Sequence, residues 1–386
     1  MTTDALTALV GDVPGFVARS FGRRPLHVPA AARSDAADPA ALLTLDDVDD
    51  LVASSGLRAP AFRVVRDGVT LPTSAVTRRV RIGSRPVDDL VDVAAVHAAF
   101  RDGATVVLQG LHRSFPPVAA LCRELSAELG HPVQANAYLT PPSAQGLHLH
   151  GDPHDVFAVQ THGRKRWVVH PPGDEEPWDL DLVPGDVLYL PAGTRHAAQT
   201  PDVASLHLTL GVRTVTWRAV LERTLTAALE GDTDLDAPLP VGWVDDPDAL
   251  GDELARRVAD VAVTLAAGPD VTAPLRAAAD RVLAAREPDR RGGLRDLLEV
   301  TQLDDTTPLR VRAAAPHRLG RSSDGAMLHL ADRDLTLPVE LAPVLARIAE
   351  LGRFRPADLD DLIARDSRIV LCRRLVREGW LTHDRA

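Results

Sequence analysis

The sequence predicts an α+β protein built on a double-sheet jelly roll, and three observations support this fold class. Residues 131–213 consist of short apolar or alternating segments separated by Gly and Pro, the pattern of barrel strands. Residues 214–300 lose that alternation and repeat apolar residues at helical spacings of three and four. Residues 308–386 combine short strand-like segments with helical ones, which indicates a further mixed unit.

Composition restricts the class of protein before any motif is considered. A chain of 386 residues is long enough for two or three domains, and 45% hydrophobic with 25% charged residues is ordinary for a globular protein. The net charge of −11 gives no general electrostatic basis for nucleic-acid binding. Cys122 and Cys372 are too few and too distant for a disulfide framework. With no signal-peptide pattern and no long apolar run, we expect a cytoplasmic protein without a membrane span.

Local signals predict the elements that precede and follow the barrel. Thr44 followed by early acidic residues favours a helix start, and Asp67-Gly68 in an alternating stretch predicts a hairpin turn. Expected helices before the barrel are 13–21, 44–52, 91–101 and 117–129, with strands at 62–71 and 104–109. Expected helices after it are 216–229, 248–267, 271–285, 339–351, 356–364 and 367–378, with strands near 310–312 and 326–330.

A His-x-Asp motif and a later histidine are the candidate metal ligands. His150 and Asp152 stand two apart, so on a β-strand both side chains point to the same face. Most isolated motifs of this kind are surface residues or strand-end hydrogen bonds. His196 follows a Pro-Gly-Asp turn, the apolar strand 187–190 and a Pro-Ala-Gly turn, which places an imidazole at a strand start. If the two strands face each other, the three side chains form the two-histidine, one-carboxylate set of non-haem Fe(II) oxygenases.

Four segments around these ligands carry a family resemblance. They are Ala-Asn-Ala-Tyr-Leu-Thr-Pro-Pro-Ser-Ala-Gln-Gly at 135–146, Asp-Val-Phe-Ala-Val-Gln at 155–160, Gly-Arg-Lys-Arg-Trp at 163–167 and Ser-Leu-His-Leu-Thr-Leu at 205–210. They resemble the JmjC-type ribosomal oxygenases of the cupin superfamily, which are Fe(II)- and 2-oxoglutarate-dependent protein hydroxylases. The resemblance implies a double-stranded β-helix, the jelly roll of cupin and JmjC proteins, as the core.

The resemblance also implies roles for individual residues. The iron ligands of the family correspond to His150, Asp152 and His196, and its pair that binds the far carboxylate of 2-oxoglutarate corresponds to Tyr138 and Lys165. The side chains suit this role, because lysine provides a cation and tyrosine a hydroxyl donor. Without the resemblance, Lys165 would be taken as a solvated charge at a turn and Tyr138 as core packing.

Two further polar residues are candidates for cofactor binding. Asn136 and Ser205 are expected either to hydrogen-bond in the cavity or to satisfy neighbouring backbone groups, and the sequence leaves both open. Two positions depart from the family pattern. Gly151 stands where the family usually has a bulky or aromatic residue, and His148 stands where it commonly has a small one. Both are expected near the cavity mouth, where they affect substrate identity more than metal binding.

The resemblance extends to the domain organisation. Residues 1–213 are predicted to form the JmjC/cupin catalytic jelly roll with an N-terminal helical lead-in. Residues 214–305 are predicted to form a helical dimerisation domain, although packing within the chain would explain the same apolar stripe. Residues 306–386 are predicted to be winged-helix-like. Because the whole chain is acidic, we expect this last domain to have a structural or protein-contact role, with nucleic-acid binding unlikely.

The leading functional hypothesis is an Fe(II)- and 2-oxoglutarate-dependent oxygenase that hydroxylates a protein or peptide side chain. The resemblance implies a homodimer and suggests a ribosomal protein substrate modified on Arg or His. One alternative is a cupin metalloenzyme that does not use 2-oxoglutarate, which would not need Lys165 and Tyr138. The other is a non-catalytic winged-helix binding protein, which would not need an intact set of metal ligands.

Overall fold

Two antiparallel β-sheets pack face to face in the region predicted to be a barrel. The structure is a computed structural model that describes residues 5–33, 38–54, 56–142, 148–173, 176–230, 233–267, 272–286, 288–312, 317–322, 325–330 and 332–385. The helices are α1 (Ala5–Val10), α2 (Val13–Arg19), α3 (Leu45–Ser54), α4 (Val93–Arg101), α5 (Leu111–Ser114), α6 (Pro116–Leu129), α7 (Trp217–Glu230), α8 (Gly251–Ala267), α9 (Ala273–Ala284), α10 (Gly293–Glu299), α11 (Ala342–Leu351) and α12 (Arg365–Arg377).

The strands up to the end of the barrel are β1 (Leu26–Val28), β2 (Phe62–Arg66), β3 (Val69–Thr70), β4 (Thr77–Ile82), β5 (Arg85–Val91), β6 (Thr105–Leu108), β7 (Val133–Thr140), β8 (Asp155–His162), β9 (Lys165–His170), β10 (Trp178–Leu182), β11 (Val187–Leu190), β12 (Arg195–Gln199) and β13 (Ser205–Val212). The later strands are β14 (Leu309–Val311), β15 (His317–Ser322), β16 (Gly325–Leu330), β17 (Asp334–Leu337), β18 (Arg353–Phe354) and β19 (Leu381–His383).

The chain divides into two compact units. The first comprises residues 1–214, 287–315 and 340–386, and the second comprises residues 215–286 and 316–339. The boundary after residue 214 lies one residue beyond the predicted end of the jelly roll at 213. The units do not follow the predicted boundary at 305/306, because residues 287–312 pack with the last helix and strand while β15–β17 group with the middle helices. The three-domain division therefore stays a prediction.

The large sheet of the first unit has the strand order β1-β11-β8-β13-β7-β6-β2-β3, and the small sheet has the order β10-β9-β12. Strand alternation gives each strand of the large sheet two different faces. On β8, Phe157 and Val159 belong to a core shared with the N-terminal helices, whereas Val156 and Ala158 belong to a second core shared with the small sheet. Because both faces are buried, residues 156–159 of β8 and residues 187–190 of β11 form continuous apolar segments rather than alternating ones.

The second unit consists of the helices α7, α8 and α9 and the antiparallel sheet β15-β16-β17. An ion pair of 2.9 Å joins Arg318 on β15 to Asp280 on α9. The middle helices match the predicted ranges to within a few residues at their ends, whereas β15 and β17 were not predicted. In the described part of the chain no helix is long and apolar enough to span a membrane.

Two other local predictions need correction, and one hairpin was not predicted. The His-x-Asp segment is not a full strand, because His150 forms an isolated bridge and Asp152 lies in coil. The hairpin β4–β5 was not predicted, because its exposed charged residues hide the alternation. Residues 356–364 contain only a short 3₁₀-helix, Pro356–Leu359, instead of an α-helix.

A buried carboxylate joins the segment 287–312 to the C-terminal strand of the first unit. Asp296 is 0% exposed and accepts hydrogen bonds from the Arg312 guanidinium and, at 2.7 Å, from the Thr382 hydroxyl. Arg385 contributes a further contact of 3.0 Å. Arg312 is also buried, and Asp296 is the carboxylate that pairs with it directly, with Asp289 a second, weaker source of compensation.

We expect Asp296→Asn to destabilise the first unit by about 3–5 kcal/mol, because it leaves the buried Arg312 charge unpaired. Urea unfolding followed by tryptophan fluorescence measures this change. Glu299→Gln is the matched control, since Glu299 pairs with Arg385 at the surface and its loss should cost no more than about 1 kcal/mol. Equal midpoints for the two variants would contradict the assignment.

Candidate metal centre

The backbone brings His150 and His196 together. The two residues form an antiparallel bridge in which the His150 amide donates to the His196 carbonyl at 3.0 Å and the His196 amide donates back at 2.7 Å. The Gly193 amide donates to the Asp152 carbonyl at 2.7 Å, which extends the pairing of the two segments from His150 to Asp152. The imidazole centroids are 4.4 Å apart as a result.

The three predicted ligands converge as the sequence motif requires. One ligand atom from each of His150, Asp152 and His196 lies within 4.8 Å of the other two, and the described part of the chain contains no second group of this kind. His196 Nε2 is 3.7 Å from an Asp152 carboxylate oxygen. His196 is buried, while His150 and Asp152 are half-buried, so the site opens to solvent on one side.

Hydrogen bonds hold both imidazoles in the form that binds a metal. His150 Nδ1 lies 2.8 Å from the His148 carbonyl, and His196 Nδ1 lies 2.9 Å from the Thr194 carbonyl. A carbonyl can only accept, so Nδ1 carries the proton and Nε2 presents its lone pair. Burial lowers the pKa of His196, as does the nearby His150, which further favours the neutral ligand. The donor set therefore fits a divalent transition metal such as Fe(II).

The ligands stand at one end of a cavity between the inner faces of the two sheets. The cavity holds about 490 Å³ of empty space, including its open mouth. Alternation explains its lining, because the intervening residues face the helices on the strands of the large sheet and face outward on the strands of the small sheet. The large sheet contributes Arg63, Val65, Thr105, Val107, Tyr138, Thr140 and His207, and the small sheet contributes Lys165, Trp167, His196 and Ala198, with His150 completing the lining.

Lys165 lies in this cavity, as the resemblance implied, rather than on a solvated turn. It is 3% exposed, and its ammonium donates to the Thr140 hydroxyl at 3.2 Å. Thr140 also accepts from Thr105 at 3.1 Å. Burial lowers the pKa of Lys165 to about 7, and no acidic group in the cavity lining offsets this effect.

Tyr138 lines the same cavity. Its ring stacks on His207 with a centroid separation of 4.9 Å and an interplanar angle of 7°. Burial raises the pKa of Tyr138, while hydrogen bonds from Arg63 and with Asn136 act in the opposite direction. Burial also keeps the pKa of His207 well below its usual range, with Lys165 and His196 adding to the effect, so His207 is neutral.

Asn136 and Ser205 are adjacent to the cavity without being part of its described lining. Asn136 accepts a hydrogen bond from the Gly110 amide at 3.0 Å and contacts the Tyr138 hydroxyl. Ser205 is fully buried and accepts from the Gln160 amide at 2.9 Å. Of these contacts only the one from Gly110 involves a backbone group, and a role of either residue in cofactor binding stays a prediction.

Several lining residues were not predicted. Thr140 lies two positions after Tyr138, so the same alternation could have placed it on the inner face. His207 lies between the apolar Leu206 and Leu208 and could have been found in the same way. Arg63 gave no such signal, because its place in the cavity depends on how β2 pairs with β6.

The two departures from the family pattern have structural explanations. A Cβ atom on Gly151 would lie 3.0 Å from the Gly193 carbonyl oxygen, so the close approach of the two backbones favours glycine. His148 packs against the turn between β2 and β3, where a Cβ atom on Gly68 would lie 2.8 Å from its ring. Residues 143–147, which include part of the resembling segment, lie outside the described residues.

Comparison with known proteins gives a domain family and two groups of relatives. Residues 111–220 match the family described as JmjC domain. Ribosomal oxygenase 1 of Rattus norvegicus is 32% identical over 177 residues, which cover 39% of this chain and 30% of that protein. The bifunctional lysine-specific demethylase and histidyl-hydroxylase NO66 of Dictyostelium discoideum is 34% identical over 152 residues, which cover 34% of this chain and 30% of that protein. The chain thus spans less than a third of the length of these relatives.

Solved structures share the fold over almost the whole chain. The ribosomal oxygenase YcfD from Escherichia coli, in complex with cobalt and succinic acid, matches with a TM-score of 0.54 and 17% identity over 97% of this chain and 98% of that one. Its complex with cobalt and 2-oxoglutarate matches with a TM-score of 0.53 and 18% identity, again over 97% and 98%. The predicted double-sheet core is confirmed, and residues 111–220, which match the JmjC domain, include all three strands of its small sheet.

Proposed function

We propose that this protein is an Fe(II)- and 2-oxoglutarate-dependent oxygenase that hydroxylates a side chain of a protein or peptide. The observation that carries the proposal is the convergence of His150, Asp152 and His196 within 4.8 Å beside a cavity that contains a buried lysine. When bound, Fe(II) and 2-oxoglutarate consume O₂ and convert a substrate C–H bond to C–OH, with release of succinate and CO₂. Residues of the chain carry out the remaining tasks, which are to bind these groups, to orient them and to exclude water.

In this proposal the three metal ligands hold the ion and leave coordination positions free. His150 and His196 supply neutral nitrogen donors whose orientation is fixed by backbone carbonyls, and Asp152 supplies the carboxylate. Three protein ligands leave the remaining coordination positions for the co-substrate and O₂. The half-buried side of the site gives the substrate access. On the buried side Trp167, whose ring centroid is 5.6 Å from that of His196, excludes water.

Lys165 and Tyr138 bind the far carboxylate of 2-oxoglutarate in this proposal. Lys165 is buried at the closed part of the cavity and has no anionic partner there, so a carboxylate would supply the missing charge. The Thr140 and Thr105 hydroxyls provide additional hydrogen-bonding groups beside it. Asn136 supports Tyr138 through their hydrogen bond, and Ser205 supports the adjacent strand through Gln160.

The substrate class is suggested by the names of the relatives. These relatives are called ribosomal oxygenase and histidyl-hydroxylase, so we propose a ribosomal protein as the substrate, with Arg and His as the candidate residues. The buried, unpaired thiols of Cys122 and Cys372 support a reducing compartment, which we take to be the cytoplasm.

We propose that residues 306–386 form a winged-helix-like domain with a structural role. The sheet β18-β14-β19 and the helices α11 and α12 support this assignment. Four of the five arginines of α12 are engaged within the chain: Arg365 and Arg368 pair with Asp305, Arg374 pairs with Glu378, and Arg373 donates to backbone carbonyls. This pairing supports our expectation that nucleic-acid binding is unlikely.

The first experiment is an anaerobic titration of the metal-free protein with Fe(II) and then 2-oxoglutarate, followed by visible absorption. Wild type should bind both, and His150→Ala should bind neither, because it loses one of three metal ligands. Lys165→Ala should bind 2-oxoglutarate about 10- to 100-fold more weakly, as expected for loss of a charged hydrogen bond.

Arg166→Ala is the matched control for Lys165→Ala. Arg166 is the next residue on the same strand, but it points outward and pairs with Asp179, so its loss should leave 2-oxoglutarate binding unchanged. Metal binding by wild type without any binding of 2-oxoglutarate would contradict the proposal and favour a cupin enzyme with another co-substrate.

The affinity for 2-oxoglutarate should depend on pH through Lys165. The protonated ammonium binds the anion, and its pKa before binding is about 7. The Kd of the Mn(II)-loaded protein should therefore be lowest below about pH 7 and rise by up to about tenfold per pH unit above it. Calorimetry at about pH 7 and about pH 9 tests this. The variant Lys165→Arg stays charged over this pH range, so its Kd for 2-oxoglutarate should not change with pH. A wild-type Kd that does not change with pH would refute the role of Lys165.

We propose that residues 214–305 mediate a homodimer. Exposed apolar residues recur on one face of α7, where Trp217, Leu221, Leu225 and Leu229 are four positions apart.

The double variant Leu221→Asp/Leu225→Asp should raise the dimer Kd at least about a hundredfold, because it introduces charges into a buried apolar contact. Light scattering after size-exclusion chromatography measures this. Ala227→Asp, off this face, should remain dimeric, and a monomeric wild type at micromolar concentration would exclude the dimer.

A further inference from the structure

A buried carboxylate outside the cavity contacts the loop that leads to His196. Asp155 begins β8 and is 2% exposed. It stands two positions before Phe157, which belongs to the core shared with the N-terminal helices, so both side chains lie on the face of β8 that is turned away from the cavity. Asp155 therefore follows the ligand Asp152 by three positions without being a ligand or a lining residue itself.

The described hydrogen bonds to the Asp155 carboxylate come from β11 and from the loop after it. The Ala192 amide donates to Oδ1 at 2.9 Å, and the Tyr189 hydroxyl donates to Oδ2. The Tyr189 hydroxyl also accepts from the Gly22 amide at 2.7 Å, and its ring packs on Phe16 with a centroid separation of 4.9 Å. Tyr189 is thus fixed by the N-terminal segment and in turn orients the carboxylate.

The Asp155 carboxylate is buried without a counter-ion. In the described part of the chain no arginine, lysine or histidine forms an ion pair with it, and both of its hydrogen-bond donors are uncharged. A buried carboxylate without a cation is unfavourable for folding unless hydrogen bonds hold it. The structure keeps such a group at the one place where it can accept a hydrogen bond from the loop between β11 and β12.

That loop, residues 191–194, determines how the ring of His196 is held. The Ala192 amide is bound by Asp155, and the next amide, that of Gly193, donates to the His-x-Asp segment at 2.7 Å. The Thr194 carbonyl then lies 2.9 Å from His196 Nδ1. A continuous path therefore leads from the Asp155 carboxylate through the loop to the imidazole of the most buried metal ligand.

We propose that Asp155, oriented by Tyr189, is a positioning residue of the metal centre. It holds the loop 191–194 in the place from which the Thr194 carbonyl directs His196 Nε2 to the metal. Without the carboxylate the Ala192 amide loses its acceptor, and the loop loses one of its two hydrogen bonds to the segment 150–155. The inference rests on the proposed metal site and adds a residue that acts on it from the opposite face of the sheet.

The test titrates the metal-free protein with Co(II) alone. Calorimetry gives the Kd, and the position and intensity of the visible Co(II) bands report the ligand set. Asp155→Ala should bind Co(II) about 10- to 100-fold more weakly than wild type, as is typical when a residue that orients a metal ligand is lost. Its Co(II) spectrum should shift toward that of His196→Ala. Asp155→Asn keeps an oxygen that accepts from the Ala192 amide, so it should restore most of the affinity and the wild-type spectrum.

Asp186→Ala is the matched control. Asp186 stands just before β11, at the end opposite to the loop, and is 4% exposed. Its carboxylate accepts from the amides of Ala30 at 2.8 Å and Val183 at 3.2 Å. The control therefore also removes a buried carboxylate that holds neighbouring backbone, but none of these contacts reaches the loop 191–194. Its Co(II) Kd and spectrum should match those of wild type.

A folded Asp155→Ala variant that binds Co(II) as wild type does would overturn the inference, and so would an equal loss of affinity in Asp186→Ala. If circular dichroism shows that Asp155→Ala is unfolded, Tyr189→Phe decides. It removes one of the two hydrogen bonds to the carboxylate and should raise the Co(II) Kd at least about threefold, so an unchanged Kd would also overturn the inference. Failure of the proposed function is recognised separately, because in that case the Co(II)-loaded wild type does not bind 2-oxoglutarate.

Discussion

The pair of backbone hydrogen bonds between His150 and His196 is the constraint on which the metal centre depends. It closes the small sheet onto the segment that carries the His-x-Asp motif and sets two imidazoles 4.4 Å apart. Because the bonds involve only main-chain atoms, the ligand geometry exists before a metal binds. The same close approach of the two backbones favours glycine at position 151, since a Cβ atom there would lie 3.0 Å from the Gly193 carbonyl oxygen.

The rest of the cavity follows from strand alternation around that bridge. Each strand of the large sheet directs one set of residues toward the helices and the other toward the small sheet. Along residues 156–159 of β8 and along β11 both sets are apolar, and the layer between the sheets is packed hydrophobic core. Along β2, β6, β7 and β13 the inner set includes charged and polar residues, and there the same layer becomes a cavity. The cavity thus forms where polar and charged residues replace apolar ones in the layer between the two sheets, and it needs no additional structural element.

The sequence predicted what depends on local spacing and on the resemblance. His150, Asp152 and His196 were found from two turns and a strand, and Lys165 and Tyr138 from matching segments. The sequence could not reveal Arg63, because its position requires the pairing of β2 with β6 and of β6 with β7, which are far apart in the chain. The grouping of β15–β17 with the middle helices was missed for the same reason, since long-range packing decides it.

The electrostatics of the cavity imply an order of binding. Neutral imidazoles and one carboxylate favour a divalent cation first, because burial of His196 disfavours its protonated form. Lys165, whose pKa is about 7 in the free protein, is only partly charged until a dianion arrives and makes its protonated form favourable.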